Sequence, residues 1–514
     1  MITKIHITFL ILFINSCLYA QNKIFQNPIS QNNLESSQKL DSKIASTYLS
    51  TKYYSQSSFD LNKELEIPLP NNRILKASPN KNFRYSNKSE SFVYTIENEP
   101  NSELVLSRFE NVITGMYTSP ENEKIIFHQL DRNLFAVSTV SEASLINKDS
   151  SLDYIVPEEN ILQKVNENVC LQSTAICPST TIDVLIVYTT AARISWGGVA
   201  QSNSFIATAM TNFNTALINS GVTNTNINIV YSGEIAYTES GSLNTDLPRF
   251  RDNNDGYMDE VHSLRTTYGA DICALITASP TSTCGLGYVN TNPTNYSSVN
   301  AFSATVNICV VSNYSLAHEM GHNMGLNHDW YVNTSSLPCE HQHGYVNQIA
   351  IEQGTSSTSS QRWRTIMAYN NECSDAGFSC TRINRWSNPN LNHNSNPTGI
   401  AIGNPNPSNE AFGFARFACV VSQFMPTSNL GNFEIKTKEI KDFTIFPNPA
   451  KEEINIWIKN DEAYTFKVIN VLGQIVLTSH NKTIDLRGLP SGEYFLSIYT
   501  DKNSLIGSKK FMIK

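Results

Sequence analysis

The sequence predicts a mixed α/β domain over residues 179–426, a β-rich segment before it and a small β-sandwich after it. Three observations carry this. Short apolar runs alternate with stretches of helical period between residues 179 and 426. Residues 92–145 and 443–514 instead repeat short strands broken by turn residues. Every cysteine beyond residue 20 lies between Cys170 and Cys419, which confines disulfides to the central block.

At 514 residues the chain is long enough for two to four domains. It is 40% hydrophobic and only 16% charged, with Asn, Ser and Thr supplying much of the polarity. A net charge of −8 without long Lys/Arg blocks offers no electrostatic basis for nucleic-acid binding. "MITKIHITFLILFINSCLYAQN" opens with Lys4, continues as an apolar run from Ile7 to Ile14 and ends at the small Ala20. That reads as a signal peptide over residues 1–20, too short to span a membrane, and no other stretch reads as a transmembrane segment. Asn15 and Ser16 fit poorly with a lipid-modified Cys17. Removal of the leader leaves nine cysteines, so at least one has no intramolecular partner. Closeness alone suggests the pairs Cys170–Cys177 and Cys373–Cys380.

Residues 21 to about 80 are polar without sustained periodicity, and strands such as "SFVYTI" and "ELVLSRF" begin at Phe92. In the central domain, "TIDVLIVYT" reads as a buried strand. Ile206, Met210, Phe213 and Leu217 then mark one helix face, and Gly221 ends the helix. "NINIVY" is a strand; Met258, Val261 and Leu264 mark a second helix closed by Gly269; "ADICALIT" and "CGLGYVN" are further strands. Residues 427–442 are a polar linker. "DNNDG" at 252–256 has its glycine one position early for a calcium loop and no following Glu in register. Calcium therefore has no supporting motif, and helix capping suits the stretch better.

"SLAHEMGHNMGLNHDW" holds three of the ten histidines. On a helix, His318 and His322 project from one face a turn apart, as paired zinc ligands. Glu319 stands beside them, placed to take a proton from a metal-bound water. Gly325 permits the left-handed turn that brings His328 round as a third ligand. Three protein ligands leave one position open, as catalytic sites do. Solvated surface histidines are the bland alternative, but Gly325, His328 and Asp329 in register argue against it. His341 and His343 in "CEHQHGY" lack a carboxylate partner at helical spacing and read as loop histidines.

The string from His318 to Asp329 resembles the metzincin metallopeptidases, and the Asp after the third His resembles their reprolysin (adamalysin/ADAM-like) branch. The resemblance covers about residues 180–425 and implies a mixed, mostly parallel sheet with an active-site helix. It also implies one catalytic Zn2+ and hydrolysis of peptide bonds in proteins by a zinc-bound water, with Glu319 as general base. Met367 in "WRTIMAYN" matches the methionine that lies under the metal. Tyr369 matches the tyrosine that, in other branches, serves as a fifth ligand or stabilises the oxyanion, and Asp329 reads as a structural acceptor. "CGLGYVN" occupies the place of the edge strand that pairs with substrate. Residues 21–170 then read as a pro-segment.

"FPNPAKEEINI", "NVLGQIV" and "IDLRGLPSGEYFLSI", in that order, are similar to the type A sorting domain of the type IX secretion system. This implies export through both membranes of a Gram-negative bacterium, with the outer-membrane secretion machinery as partner of residues 443–514. The rival reading is a surface binding protein with a vestigial metal site, which would have no need of Glu319.

Overall fold

The protein's structure is a computed structural model that describes residues 22–30, 34, 48–142, 145, 153–157, 170, 176–279, 283–291, 297–426, 443–458, 464–470, 475–500 and 505–514. Two compact units divide the chain, residues 1–428 and 429–514. The leader read at residues 1–20 and the linker at 427–442 lie outside the described residues. No described helix is long and apolar enough to cross a membrane.

The first unit begins with a nine-stranded antiparallel sheet whose strands run in the order 25–29, 48–56, 134–140, 124–131, 112–118, 103–109, 90–96, 74–84 and 65–68. Strands therefore start well before Phe92. The early ones escape sequence notice because they are short or half-exposed: Leu65–Pro68 spans four residues, and Ile74–Arg84 is mostly exposed. Period-2 apolarity marks a strand only where one face is buried.

The second sheet has strands in the order 154–155, 285–288, 302–306, 272–277, 180–189 and 225–235. All its pairings are parallel except that of Gly285–Tyr288 with Phe302–Val306. Its central strands are apolar on both faces because helices or loops cover both.

The helix Val199–Asn219 lies between the two sheets, and every residue from Gln201 to Leu217 is buried. Ile206, Met210, Phe213 and Leu217 share a core with Ile182, Val184 and Ile186. Its opposite, polar face is buried too, through hydrogen bonds to the nine-stranded sheet. Ser204 Oγ donates to the Ser107 carbonyl at 2.8 Å, and the Thr211 and Tyr85 hydroxyls lie 2.7 Å apart.

Four disulfides close in this unit: Cys170–Cys339, Cys177–Cys419, Cys284–Cys309 and Cys373–Cys380. The pairing of Cys170 with Cys177 is overturned. Each instead ties the stretch before the central domain to a distant segment, contacts that sequence proximity cannot reveal. Cys273 is the free thiol among the described residues and is buried. The "DNNDG" stretch caps the helix Leu243–Arg251 at its C-terminal end, where the Asp252 backbone N–H donates to the Pro248 carbonyl at 2.8 Å, and does not cap the helix that follows. Asp259, before the Glu260–Tyr268 helix, instead accepts the backbone N–H groups of Asn254, Asp255 and Gly256.

The second unit contains a three-stranded sheet (443–446, 453–458, 483–485) and a four-stranded sheet (475–479, 464–470, 492–500, 505–513). Ile454, Ile456, Val468, Leu496 and Ile498 form one core shared by strands of the two sheets.

Candidate metal centre

The helix Ser315–Asn323 is buried at every position. Asn323 at its end pins it to the sheet, because its Nδ2 donates to the carbonyls of Tyr288, Asn300 and Phe302 at 2.8, 3.1 and 2.9 Å. Gly287 lets the strand Gly285–Tyr288 lie against this helix, since a Cβ there would come within 2.8 Å of the Glu319 carbonyl. A Cβ on Gly285 would overlap the Glu319 side chain itself. Two glycines of "CGLGY" therefore hold Glu319 and the helix in place.

Past the helix the chain turns at Gly325, with φ +82°. The turn aims the Leu326 carbonyl at Nδ1 of His322, at 2.8 Å. His318 Nδ1 faces the Ile366 carbonyl at 2.9 Å. Both rings thereby carry their proton on Nδ1 and present a bare Nε2. His328 Nε2 lies 3.3 Å from His318 Nε2 and 3.2 Å from His322 Nε2. Burial drives the His318 pKa down to about 3 and lowers that of His328, against the opposing pull of Asp153, which favours the neutral form of those two rings.

Ile366 belongs to the turn that carries Met367, which is fully buried. A Cβ on Gly321 of the helix would stand 2.8 Å from the Met367 Sδ, so the sulfur packs against the helix at that glycine. Tyr369 stacks on His328 with ring centroids 4.1 Å apart. Its backbone N–H donates to Asp329 at 2.8 Å, so that aspartate ties the third histidine's loop to the turn. Glu319 is 1% exposed, and burial followed by the Asp153 charge raises its carboxyl well above the ordinary range.

Two neighbours come from outside the motif. Asp153 places its carboxylate 2.6 Å from His328 Nε2, 3.3 Å from His318 Nε2 and 3.4 Å from His322 Nε2. Asp153, His318, His322 and His328 are buried, their ligand atoms all lie within 4.8 Å of one another, and together they could hold a metal ion. Tyr154 lies 5.2 Å from His322 and 5.3 Å from His328, ring to ring. Tyr154–Ile155 pairs in parallel with Gly287–Tyr288, so the predicted substrate edge is already paired. Sequence reasoning had no access to Asp153, a lone acid in a stretch without a motif.

His341 and His343 stand apart from this cluster. They lie on a loop, as the sequence reads, and are buried there. His343 Nδ1 faces the His328 carbonyl at 2.6 Å, and the His341 ring meets Phe412 edge-on.

The sequence matches Metallo-peptidase family M12 over residues 178–387 and the Secretion system C-terminal sorting domain over residues 444–514. Peptidyl-Asp metalloendopeptidase of Stenotrophomonas maltophilia (strain R551-3) is 34% identical over 311 residues, 59% of this chain and 67% of that protein. Its namesake in Xanthomonas campestris pv. campestris is 38% identical over 223 residues, 43% of this chain and 47% of that one. The namesake in Pseudomonas fragi is 34% identical over 185 residues, 35% of this chain and 87% of that one. A buried histidine cluster on such a sheet and helix, with these relatives, defines a zinc metalloendopeptidase. The chain belongs to metallopeptidase family M12. Its sorting domain implies export by the type IX secretion route, and its substrates are proteins.

Proposed function

We propose that this protein is a secreted endopeptidase of metzincin arrangement, made as a latent precursor, in which His318, His322 and His328 hold one zinc ion and Glu319 is the general base. The observation that carries this reading is the convergence of three imidazole nitrogens. Donors about 2.0–2.1 Å from a tetrahedral zinc stand roughly 3.3 Å apart. His328 Nε2 is 3.3 and 3.2 Å from its two counterparts. Two bare nitrogens converging on a third inside the protein, with a carboxylate beside them, form a set of donors suited to a cation, and neutral imidazole suits zinc.

Zinc bound there would supply a Lewis acid for the scissile carbonyl and lower the pKa of water. Glu319 takes the proton of the attacking water and passes it to the leaving amine. Its Oε2 has no hydrogen-bond partner among the described residues and is available for that exchange. Met367 forms the apolar floor. Tyr369, drawn to Asp153 in the precursor, supports the oxyanion once that carboxylate is gone.

Residues 21–170 serve as the pro-segment, 179–426 as the catalytic domain and 443–514 as the outer-membrane sorting domain, in a Gram-negative cell. Two observations support latency. Asp153 sets its carboxylate among the three imidazole nitrogens, where it would compete with water for a bound metal, and Tyr154–Ile155 covers the strand a substrate would join. Cleavage between residues 157 and 170 would free Asp153, and the Cys170–Cys339 bridge would retain the last residues of the pro-segment on the mature enzyme. The Ser204, Thr208 and Thr211 face of the long helix suits a segment that leaves, because those hydroxyls can exchange protein partners for water. The relatives' name supports cleavage beside aspartate.

The test uses the full chain, matured by limited proteolysis and given denatured casein. Wild type should cut it, a chelator should abolish cutting and zinc restore it. Glu319→Ala should lose at least about 1,000-fold in rate while keeping one zinc per chain. A folded, zinc-loaded chain that cuts no peptide would place the binding-protein reading first.

A further inference from the structure

Behind the turn that carries Met367 lie two buried arginines, Arg364 and Arg382, 1% and 4% exposed. Arg382 spans two walls of the centre. Its Nη1 donates to the Asn313 carbonyl at 3.1 Å, just before the histidine-bearing helix, and its Nη2 to the Ala368 carbonyl at 3.2 Å. Arg364 donates to the same Ala368 carbonyl through Nη1 at 2.7 Å and to the Cys380 carbonyl through Nε at 3.1 Å. Ala368 sits between Met367 and Tyr369, and Tyr369 stacks on His328. The pair of guanidiniums thus adjoins the metal centre.

The two cations face a carboxylate that belongs to the N-terminal region. Glu142 accepts from Arg364 Nη2 at 3.4 Å and from the Arg382 backbone N–H at 3.1 Å, and it also pairs with Lys124. Among the described residues, no carboxylate of the 176–426 region forms an ion pair with either arginine. Arg382 Nε has no hydrogen-bond partner among them. Two like charges buried side by side without an anion are strongly unfavourable. Were the N-terminal region to depart as proposed above, Glu142 and Lys124 would leave with it, and the two arginines would lack an anion.

We propose that Arg364 and Arg382 form the subsite that selects an acidic side chain next to the scissile bond, and that Glu142 occupies it in the precursor in place of substrate. This rests on the peptidase reading above. A guanidinium recognises a carboxylate by geometry as well as charge, so Asn, of equal size, is rejected. The site also gives the precursor a second hold on its N-terminal region, independent of Asp153.

The test compares matched peptides with Asp, Asn or Ala at one position. They are offered to the full chain matured by limited proteolysis, as wild type, Arg382→Lys, Arg382→Gln and Arg364→Gln. Wild type should favour Asp over Asn by at least about 100-fold in kcat/KM. That preference should fade below about pH 4, where the peptide carboxyl protonates. Each Gln variant should lower the ratio by about tenfold or more, and Arg382→Lys should lower it less. Binding of the same peptides to matured Glu319→Ala, followed by fluorescence anisotropy, reads the subsite without catalysis. Equal cleavage or equal binding of Asp and Asn peptides by wild type overturns the proposal. So does a folded Arg382→Gln chain that keeps the preference, since the guanidiniums would then only brace the turn. Selective binding of the Asp peptide with no cleavage of any peptide would instead overturn the peptidase reading and leave the acidic subsite standing.

Discussion

Asp153→Asn should awaken the precursor. The substitution keeps the side chain's size and removes the anion that faces three imidazole nitrogens at 2.6, 3.3 and 3.4 Å. With a cation held by the three nitrogens, that carboxylate would be fixed there by a charge-assisted bond. Such a bond contributes about 1.5–3 kcal/mol, and every 1.4 kcal/mol is a factor of ten. The balance between covered and open cleft should therefore shift by roughly 10- to 100-fold. Parallel pairing of Tyr154–Ile155 and the Glu142 contacts would remain and keep the shift from running to completion. The assay is hydrolysis of a quenched fluorogenic peptide by uncleaved full chain, with the absorption of a cobalt-substituted sample as a second readout. Asp153→Asn should raise the uncleaved chain's rate by that factor and change the cobalt spectrum. An uncleaved variant as inert as wild type, with the same spectrum, would refute the role given to Asp153.

Gly285→Ala should act through Glu319, because the new methyl group overlaps that side chain. We expect kcat of the matured enzyme to fall at least about tenfold with zinc content unchanged; unchanged kcat would show that the strand yields instead. His128 provides a pH test of the contact between the nine-stranded sheet and the helices. It is fully buried, its Nε2–H donates to the Trp196 carbonyl at 2.9 Å, and burial lowers its pKa to about 4. Above about pH 6.5 neither folded nor unfolded His128 is charged, so its contribution is intact. As pH falls toward 4 the unfolded chain takes the proton first, and roughly 3 kcal/mol of stability is lost. His128→Gln should remove that part of the decline in the denaturation midpoint between pH 7 and 4.5, and parallel curves for variant and wild type would contradict it.

Much of the centre was legible because its residues are local. The spacing of His318, Glu319 and His322 depends only on helical geometry, and Gly325 marks the turn by its backbone freedom alone. The long helix was legible by half. Its apolar face showed a period, whereas its Ser and Thr face, hydrogen-bonded under the nine-stranded sheet, carried no signal of that contact. A polar side chain carries the same letter whether water or a protein carbonyl satisfies it.

The sequence by itself determined the chemistry on offer: three imidazoles and a carboxylate on a helix and the turn after it, a methionine 39 residues further on, and a sorting domain at the end. Tertiary structure alone decided what faces that chemistry. It brought Asp153 to the three nitrogens from 165 residues before His318, set Glu142 against Arg364 and Arg382, and sent Cys170 and Cys177 to Cys339 and Cys419. These partners are remote in the chain, and each consists of a single residue. No period or spacing records such a contact, because it arises only when separately folded layers close over one another.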